Sequence, residues 1–128
     1  MSGSEHYWVY MLQVRNGNYY TGITTDPHRR YMEHVRGKAR CLYTTIFPPR
    51  RLVQCWKVYD SRGTALRIEH FIKKRPRQVK TDLVRNPQNL SPMLSRGSIT
   101  GVRIEPCPAT LLDDINSTEK GKTPGKRR

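Results

Sequence analysis

The protein has 128 residues, a length typical of a single domain with one hydrophobic core. Its 24 Lys and Arg residues against 10 Asp and Glu residues give a formal net charge of +14 at pH 7. A charge of this size exceeds what solubility requires and indicates a polyanionic partner, either nucleic acid or an acidic membrane. The charge lies within the sequence that looks folded, because residues 26–88 hold 16 Lys and Arg against 5 Asp and Glu.

The cysteines exclude two common classes of small protein. Cys41, Cys55 and Cys107 are odd in number and form no Cys-x-x-Cys pair, so the sequence favours neither a disulfide framework nor a zinc site. No run approaches the ~18 apolar residues of a membrane span, and the first residues lack the pattern of a signal peptide. We therefore expect a cytoplasmic protein that is not secreted and has no membrane partner.

Three runs of the chain have the composition of β-strands. Residues 7–14 (YWVYMLQV) and 18–24 (NYYTGIT) are rich in aromatic and β-branched residues, and the Arg-Asn-Gly sequence between them is a hairpin turn signal. Residues 51–60 (RLVQCWKVYD) predict a third strand, after a loop over residues 38–50 that ends in two prolines.

Helices are predicted between and after these strands. Asp26 followed by Pro27 is typical of a helix start, so we predict a helix over residues 27–36. Two more helices are predicted over residues 63–74, with Asp60 or Ser61 as the N-cap, and over residues 77–86. This order of elements predicts an α+β fold, a small three-stranded antiparallel sheet flanked by helices.

The last part of the chain has little to bury. Residues 105–128 contain prolines, Ser and Thr and end in the basic sequence KGKTPGKRR. Such a composition is typical of disorder. We therefore expect a mostly disordered basic tail, whose deletion from residue 107 onward should spare folding and chemistry.

Arg30 and His34 are four residues apart on the first predicted helix. A helical projection places them on one edge, beside an apolar face of Tyr31, Met32 and Val35. Two cations side by side repel each other, so the pair suits an anion. A solvated basic edge explains the same spacing equally well, and the sequence leaves both interpretations open.

Glu69 projects into an arc of apolar residues on the helix predicted over residues 63–74. A carboxylate in apolar surroundings costs several kcal/mol unless it is paired or holds a cation. The ordinary alternative is an i,i+4 ion pair with Lys73, or a side chain that reaches the rim. Spacing alone favours this alternative slightly.

The turn between the first two strands decides whether Tyr10 and Tyr20 share a face of the sheet. A two-residue loop at residues 16–17 separates them, whereas a three-residue loop at residues 15–17 brings them together. Gly22 leaves room on the face of Tyr20, which suits a ligand.

Short motifs follow one another through the chain: WVY at residues 8–10, YTG at residues 20–22, and an R-x-x-x-H pattern of Arg30 and His34. With Glu69 on the later helix, they resemble the GIY-YIG nuclease superfamily. The likeness is to the small stand-alone type, similar to the nuclease domain of structure-specific endonucleases. WVY stands where the family has GIY, with a tryptophan as a departure from the first glycine, and YTG stands where it has YIG.

The resemblance implies a GIY-YIG fold with definite boundaries. The nuclease-like domain, with a C-terminal helical extension, would span residues 7–104, between an N-terminal extension over residues 1–6 and the tail over residues 105–128. It also implies the three-residue turn, because the family site needs both tyrosines in one cleft.

The activity that the resemblance implies is hydrolysis of phosphodiester bonds by a metal-dependent DNA endonuclease, structure-specific in DNA repair or recombination. Tyr10 or Tyr20 would orient or deprotonate a water, and Arg30 would grip the scissile phosphate through its planar fork. His34 would relay a proton or bind phosphate. Glu69 would bind one Mg²⁺, or Mn²⁺, through oxygen.

The substrate is the open part of this interpretation. Lys38, Arg40 and Tyr43 would line the path of DNA, and RNA is an alternative substrate. A protein partner that targets the domain is a further alternative, and the sequence leaves the oligomeric state open. The competing functional class is a non-catalytic nucleic-acid-binding module of the same fold, which would lack a catalytic residue. A basic membrane-surface protein would need a broad apolar helix face that the predicted helices lack.

Overall fold

The structure is a computed structural model that describes residues 6–125, with the side chains of residues 6–117. The N-terminal extension before residue 6 and the last three residues of the tail therefore lie outside the described residues. The elements in chain order are β1 (Tyr7–Val14), β2 (Tyr19–Thr24), α1 (Pro27–Val35), α2 (Leu42–Ile46), β3 (Pro49–Tyr59), α3 (Arg62–Lys73), α4 (Arg77–Arg85), a 3-10 turn (Pro87–Asn89), α5 (Leu90–Arg96), β4 (Arg103–Pro106) and α6 (Ala109–Gly125).

The sheet is antiparallel throughout, with the strand order β2-β1-β3-β4. The α+β fold with an antiparallel sheet flanked by helices is confirmed, and the strand number is corrected from three to four. The added strand, β4, pairs with the end of β3 from Trp56 opposite Pro106 to Tyr59 opposite Arg103. Four mostly exposed residues give too short an alternation to predict a strand from sequence.

The three-residue turn joins β1 and β2. The Val14 N–H donates to the carbonyl of Asn18 at 2.9 Å, and the Gly17 N–H donates to the carbonyl of Val14 at 2.8 Å. Gly17 has a φ of +88°, the left-handed conformation that this turn needs and glycine adopts without strain. Arg77 of α4 fixes the turn by donating to the Gly17 carbonyl at 2.7 Å.

This turn sets the register of the hairpin. Tyr10 lies opposite Gly22, and Leu12 lies opposite Tyr20. Residues directly opposite each other, and residues two apart on one strand, lie on the same face of a sheet. Tyr10 and Tyr20 therefore share a face, as the resemblance implied.

The predicted helix starts are present at α1 and α3. Pro27 is the first residue of α1, and the Asp26 carboxylate accepts from the Arg29 N–H at 3.1 Å. The Ser61 hydroxyl caps α3 in the same way, accepting from the Thr64 N–H at 3.2 Å. These caps satisfy backbone N–H groups that a helix cannot satisfy internally.

Each face of the sheet has its own hydrophobic core. The face toward α3, α4 and α5 buries mainly aliphatic residues and one tryptophan: Val9, Met11, Val53, Trp56, Val58, Ala65, Ile68, Ile72, Leu83, Leu90, Leu94 and Ile99. The face toward α1 and α6 buries a more mixed set: Tyr10, Leu12, Val14, Tyr31, Met32, Leu52, Cys55, Cys107 and Ile115. The predicted tyrosine pair belongs to the second face.

The C-terminal segment is folded through residue 117 rather than disordered, which corrects the sequence prediction. Ile115 of α6 is fully buried, and the Asn116 side chain accepts from the Leu52 N–H at 2.9 Å and donates to the Leu52 carbonyl at 3.0 Å. The Cys107 N–H donates to the carbonyl of Cys55 at 2.7 Å, which continues the β3–β4 ladder. These contacts attach the segment to the central strand β3.

The sequence underestimated this segment because its apolar residues are few. Leu111, Leu112 and Ile115 nevertheless share one helical face, and all three pack into the core next to α1. The expectation that deletion from residue 107 would spare folding does not fit these contacts, because it would expose the α1 side of the sheet.

The predicted loop over residues 38–50 also contains structure. It includes α2, and β3 begins at Pro49, two residues earlier than expected. Thr44 of α2 is buried. Among residues 6–125, none of the helices combines the length and the apolar character that crossing a bilayer requires.

Candidate active site

The five residues expected in the site meet around one edge of the sheet. Tyr10 of β1 and Tyr20 of β2 have ring centroids 6.4 Å apart, and the His34 ring of α1 lies 5.7 Å from Tyr10 and 5.4 Å from Tyr20. Arg30 of α1 donates through Nε to Tyr10 Oη at 3.4 Å. Glu69 of α3 joins the group through Lys73, whose ammonium lies over the Tyr20 ring.

A buried chain of hydrogen bonds runs from Tyr10 through His34 to α2. Tyr10 Oη is 2.8 Å from His34 Nε2, and His34 Nδ1 is 2.8 Å from Thr44 Oγ1. Because the Thr44 hydroxyl donates to the Cys41 carbonyl at 3.4 Å, it is free to accept from an N–H on His34 Nδ1. This assignment leaves Nε2 as the acceptor for the Tyr10 hydroxyl.

His34 is buried, with 1% of its surface exposed, so the solvated basic edge does not describe it. The sequence missed its partner Thr44, because a threonine in a segment predicted as loop gives no functional signal. Met32 and Tyr31 of the predicted apolar face are buried as expected.

Arg30 lies at the Tyr10 end of this chain of hydrogen bonds. Its Nη1 pairs with Glu33 Oε1 at 2.8 Å, one helical turn away, and its Nε points to Tyr10. Burial disfavours the guanidinium charge, but the hydrogen bonds to Glu33 and Tyr10 outweigh burial and raise the pKa of Arg30. The side chain keeps a fixed cation at the edge of the tyrosine cluster, with 27% of it exposed to solvent.

Burial sets the protonation states of the three ring side chains. It raises the pKa of Tyr10 to about 12, although the hydrogen bond from Arg30 opposes the shift. Burial also raises the pKa of Tyr20, assisted by a hydrogen bond with the Cys41 thiol. Burial, followed by the charge of Arg30, lowers the pKa of His34 to about 4. The resting site therefore contains two neutral phenols and a neutral imidazole at pH 7.

Gly22 makes room for the Tyr10 side chain. A Cβ atom at residue 22 would lie 2.5 Å from Tyr10 Oη and 2.7 Å from Tyr10 Cζ. The space that the sequence suggested for a ligand is therefore filled by the phenol of Tyr10. The close approach of this ring to the β2 backbone sets the position of its hydroxyl.

Glu69 is the acidic side of the site. It is buried, with 8% of its surface exposed, and its Oε2 accepts from Lys73 Nζ at 3.0 Å. The ordinary ion pair considered from the sequence is thus present. A carboxylate is a hard oxygen donor, and Mg²⁺ commonly uses one or two protein carboxylates while water fills its other positions. Among the side chains of residues 6–117, no group of three or more His, Cys, Asp and Glu gathers. A single carboxylate such as Glu69 suits a cation that keeps most of its water.

The three residues expected along a nucleic-acid path have different surroundings. Tyr43 of α2 stacks on Tyr20, with centroids 6.1 Å apart and rings 19° from parallel, and its hydroxyl accepts from the side-chain amide of Asn18 at 3.4 Å. Lys38 and Arg40 are exposed on the segment between α1 and α2. Tyr43 therefore touches the tyrosine cluster, and the two cations lie on the surface.

Known proteins are similar to this chain in sequence. Residues 6–82 match the family model described as the GIY-YIG catalytic domain. A UPF0213 protein of Xanthomonas campestris pv. campestris is 38% identical over 96 residues, which cover 75% of this chain and 91% of that protein. A UPF0213 protein of Halalkalibacterium halodurans is 39% identical over 79 residues, covering 62% of this chain and 82% of the relative.

A solved structure is also similar in sequence. The solution NMR structure of a UPF0213 protein from Bacillus halodurans has 36% identity, a TM-score of 0.40, and coverage of 63% of this chain and 84% of that chain. The matched family region includes all five residues of the tyrosine, arginine, histidine and glutamate cluster. The chain belongs to the GIY-YIG catalytic domain family, a family of nucleases.

Proposed function

We propose that this protein is a DNA endonuclease that hydrolyses phosphodiester bonds with the help of one divalent metal ion, Mg²⁺ or Mn²⁺. The observation that supports the proposal most directly is the hydrogen-bonded set of Arg30, Tyr10 and His34. It combines a fixed cation for a phosphate with a phenol whose proton has a neutral acceptor 2.8 Å away. A binding module needs the cation but has no need for the buried proton path.

Arg30 binds the scissile phosphate. Its planar guanidinium can donate two parallel hydrogen bonds to phosphate oxygens, a geometry that lysine does not reproduce. Glu33 and Tyr10 hold the guanidinium from two sides, at 2.8 and 3.4 Å, so its orientation is set before a substrate arrives. Charge stabilisation by a fixed donor needs little reorganisation during the reaction.

Tyr10 is the general base that receives a proton from the attacking water. An isolated phenol with a pKa near 12 is a poor base at pH 7. Tyr10 acts instead as a relay, passing its own proton to His34 Nε2 as it accepts the proton of the water. Tyr20 makes no comparable hydrogen bond to an imidazole nitrogen in residues 6–117, where its neighbours are the Cys41 thiol, the Lys73 ammonium and three aromatic rings.

Phosphate binding prepares His34 for this step. In the resting site the charge of Arg30 is the second cause, after burial, of the low pKa of His34. A phosphate on Arg30 supplies a compensating negative charge and so raises the pKa of His34 toward its ordinary value of ~6.5. The imidazole thus becomes a better proton acceptor when substrate is present, while Thr44 keeps the ring in place.

Glu69 would hold the metal ion. When bound, a divalent cation there supplies positive charge for a phosphate oxygen and for the departing oxygen. Lys73 contacts Oε2 of Glu69 and competes with a cation for this carboxylate, and its ammonium also lies over the Tyr20 ring. Because Lys73 is 44% exposed, exchange of its ammonium for the cation costs little.

The experiment that tests the proposal measures cleavage of end-labelled linear, supercoiled, flapped and branched DNA, with matched RNA, in Mg²⁺, Mn²⁺ and EDTA at low salt. Wild type is compared with Glu69→Gln, which preserves the size of the side chain and removes its charge. We expect cutting by wild type with either metal, and a loss of at least ~10³-fold in the variant with folding intact. The DNA form that is cut fastest also tests whether the enzyme is structure-specific, as an enzyme of DNA repair or recombination would be.

Lys57→Gln is the matched control. Lys57 lies on β3, which β1 separates from β2, and its ammonium lies over the Trp8 and Tyr59 rings. Full metal-dependent cutting by Glu69→Gln would contradict the metal assignment. Tight DNA binding without cutting in any lane would support the non-catalytic binding module instead. Cutting of RNA alone would correct the substrate and leave the site chemistry in place.

A further inference from the structure

A small pocket lies directly beside the tyrosine cluster, at the beginning of β2. It has a volume of about 190 Å³ and is lined by Asn18, Tyr19, Tyr43, Arg77 and Lys80. We call it the hairpin pocket. Because Tyr43 also stacks on Tyr20, one wall of the pocket is shared with the candidate active site.

The lining of the hairpin pocket has the chemistry of an anion site. It contains two cationic side chains, a side-chain amide and two phenols, and no carboxylate. The Arg77 guanidinium already has protein partners, since it donates to the Gly17 carbonyl at 2.7 Å and to Asn18 Oδ1 at 3.1 Å. Lys80 is different, because its ammonium has no ion pair or hydrogen bond among residues 6–117.

Lys80 also lies within electrostatic range of another cation. Burial is the larger cause of its lowered pKa, and the charge of Lys73 is the second. Lys73 itself contacts Glu69 and the Tyr20 ring. An anion in the hairpin pocket would relieve the repulsion between the two ammonium groups and give Lys80 a partner.

We propose that the hairpin pocket binds a backbone phosphate of the substrate on one side of the scissile phosphate, with Lys80 as its cationic ligand. The proposal rests on the proposed function of the active site and adds a second, fixed point on the substrate. At ~30 Å³ per water molecule, the pocket has room for a phosphate group and a few waters.

The opposite end of β2 supports a linear substrate path. A second cavity of about 250 Å³ lies there, lined by residues that include Thr24, Arg29, Arg30 and Arg62. From Tyr19 to Thr24 the strand is ~17 Å long at ~3.4 Å per residue. Since successive phosphates of one strand are only ~3.4 Å apart along a duplex axis, phosphates bound in the two cavities would not be immediate neighbours. The polynucleotide would therefore run along the edge of β2, with Tyr20 and Tyr10 near its middle.

The test measures lysine acetylation by mass spectrometry, with and without a 12-nucleotide single strand or a 12-base-pair duplex, in EDTA so that no cleavage occurs. We expect at least a fivefold slower reaction of Lys80 in the presence of oligonucleotide. Lys74, an exposed lysine on the opposite side of α3 from Glu69, is the control within the same sample and should change less than twofold. Inorganic phosphate at the same phosphate concentration should give no protection, which separates a polynucleotide from the free ion.

The matched variants are Lys80→Met and Lys74→Met, with binding measured in EDTA as a function of salt. Lys80→Met should weaken binding about 5- to 30-fold and reduce the salt slope by about one, whereas Lys74→Met should leave both nearly unchanged. Equal protection of the two lysines, or equal losses in the two variants, would overturn the proposal. Because no step requires catalysis, a failure of the nuclease assay would not be mistaken for a failure of this subsite.

Discussion

The two helices that contribute to the candidate site, α1 on one face of the sheet and α3 on the other, hold their polar groups in opposite ways. On the α1 side, His34 is buried and is bound at both ring nitrogens by Tyr10 and Thr44. On the α3 side, Glu69 is held by one ion pair to Lys73, a side chain that is 44% exposed. The α1 side, with His34, is closed to solvent and is called the closed side. The α3 side, where Glu69 can exchange its partner, is called the exchangeable side.

This difference matches what each side must do in the proposed reaction. A proton relay works only if its atoms stay within hydrogen-bond distance, which a buried network ensures. A metal ligand must instead accept a cation that arrives from solution. The lesson is that rigidity in this site is local to the sheet face next to α1 and does not extend to the carboxylate.

Among the substitutions that distinguish the α1 side from the α3 side, Gly22→Ala should have the largest effect, because it displaces the Tyr10 side chain. The new Cβ would lie 2.5 Å from Tyr10 Oη, so the hydroxyl must move away from His34 and Arg30. We expect cleavage to fall at least ~100-fold, since a displacement of about 1 Å can cost that much. The measurement is the single-turnover rate at saturating protein.

Gly63→Ala is the control for that substitution, because the nearest atom to a Cβ at residue 63 is 3.8 Å away. It should keep full activity. Wild-type turnover by Gly22→Ala would show that the position of the Tyr10 hydroxyl is unimportant for the reaction.

Ile115→Ala should destabilise the core on the α1 side of the sheet. Ile115 is fully buried in the core that also contains Tyr31 and Met32 of α1, so the change leaves a cavity. We expect a loss of about 2 to 4 kcal/mol in the free energy of unfolding, measured by urea denaturation. Leu42→Ala, at a leucine that is 75% exposed, should change stability by less than about 0.5 kcal/mol. A similar small loss for Ile115→Ala would mean that α6 does not support α1.

His34 should make the free energy of unfolding fall at acidic pH. The unfolded chain binds a proton at this histidine below about pH 6.5, whereas the folded chain binds it only below about pH 4. Protonation in this interval therefore favours the unfolded chain, and wild type should lose about 2 to 3 kcal/mol of stability as the pH falls from 6.5 to 4.

The difference between wild type and His34→Gln isolates this contribution from the carboxylates that titrate in the same range. The variant is expected to be less stable at pH 7 and to lack that part of the pH dependence. His70→Gln, at an exposed histidine of α3, should keep the wild-type profile. Parallel curves for wild type and His34→Gln would refute the neutral, buried state of His34.

Lys73→Met should have the smallest effect and act on the exchangeable side alone. Removal of the ammonium frees the Glu69 carboxylate, so we expect a few-fold tighter binding of Mn²⁺ by isothermal titration calorimetry. Without metal, the free energy of unfolding should fall by about 1 to 3 kcal/mol, because Glu69 is buried and loses its ion-pair partner. Weaker Mn²⁺ binding would indicate that Lys73 orients Glu69 rather than competing for it.

The sequence predicted the parts of the fold that depend on local chemistry. The Asp26 and Ser61 caps and the strand composition of β1, β2 and β3 placed these elements within a few residues of their observed bounds. It could not choose the register of the hairpin, because Asn16 and Gly17 suit both a two-residue and a three-residue loop. The choice is made by tertiary contacts, including the hydrogen bond from Arg77 to the turn.

Burial is the other property that the sequence left open. His34 looked equally suited to a surface edge and to a site, since nothing local indicates that Thr44 and Tyr10 enclose it. The same limit applies to α6, whose few apolar residues become significant only against a core built by earlier parts of the chain. Both errors concern contacts between residues that are distant in sequence.

The attachment of α6 has a consequence for the order of events during protein synthesis. The last residue of the candidate site, Glu69, leaves the ribosome 47 residues before Asn116, the residue that fastens α6 to β3. At ~5 to 20 residues per second, this interval lasts about 2 to 9 s. Throughout it, the sheet face next to α1 lacks Ile115 and the other α6 residues that complete its core, although all the residues of the site have been made.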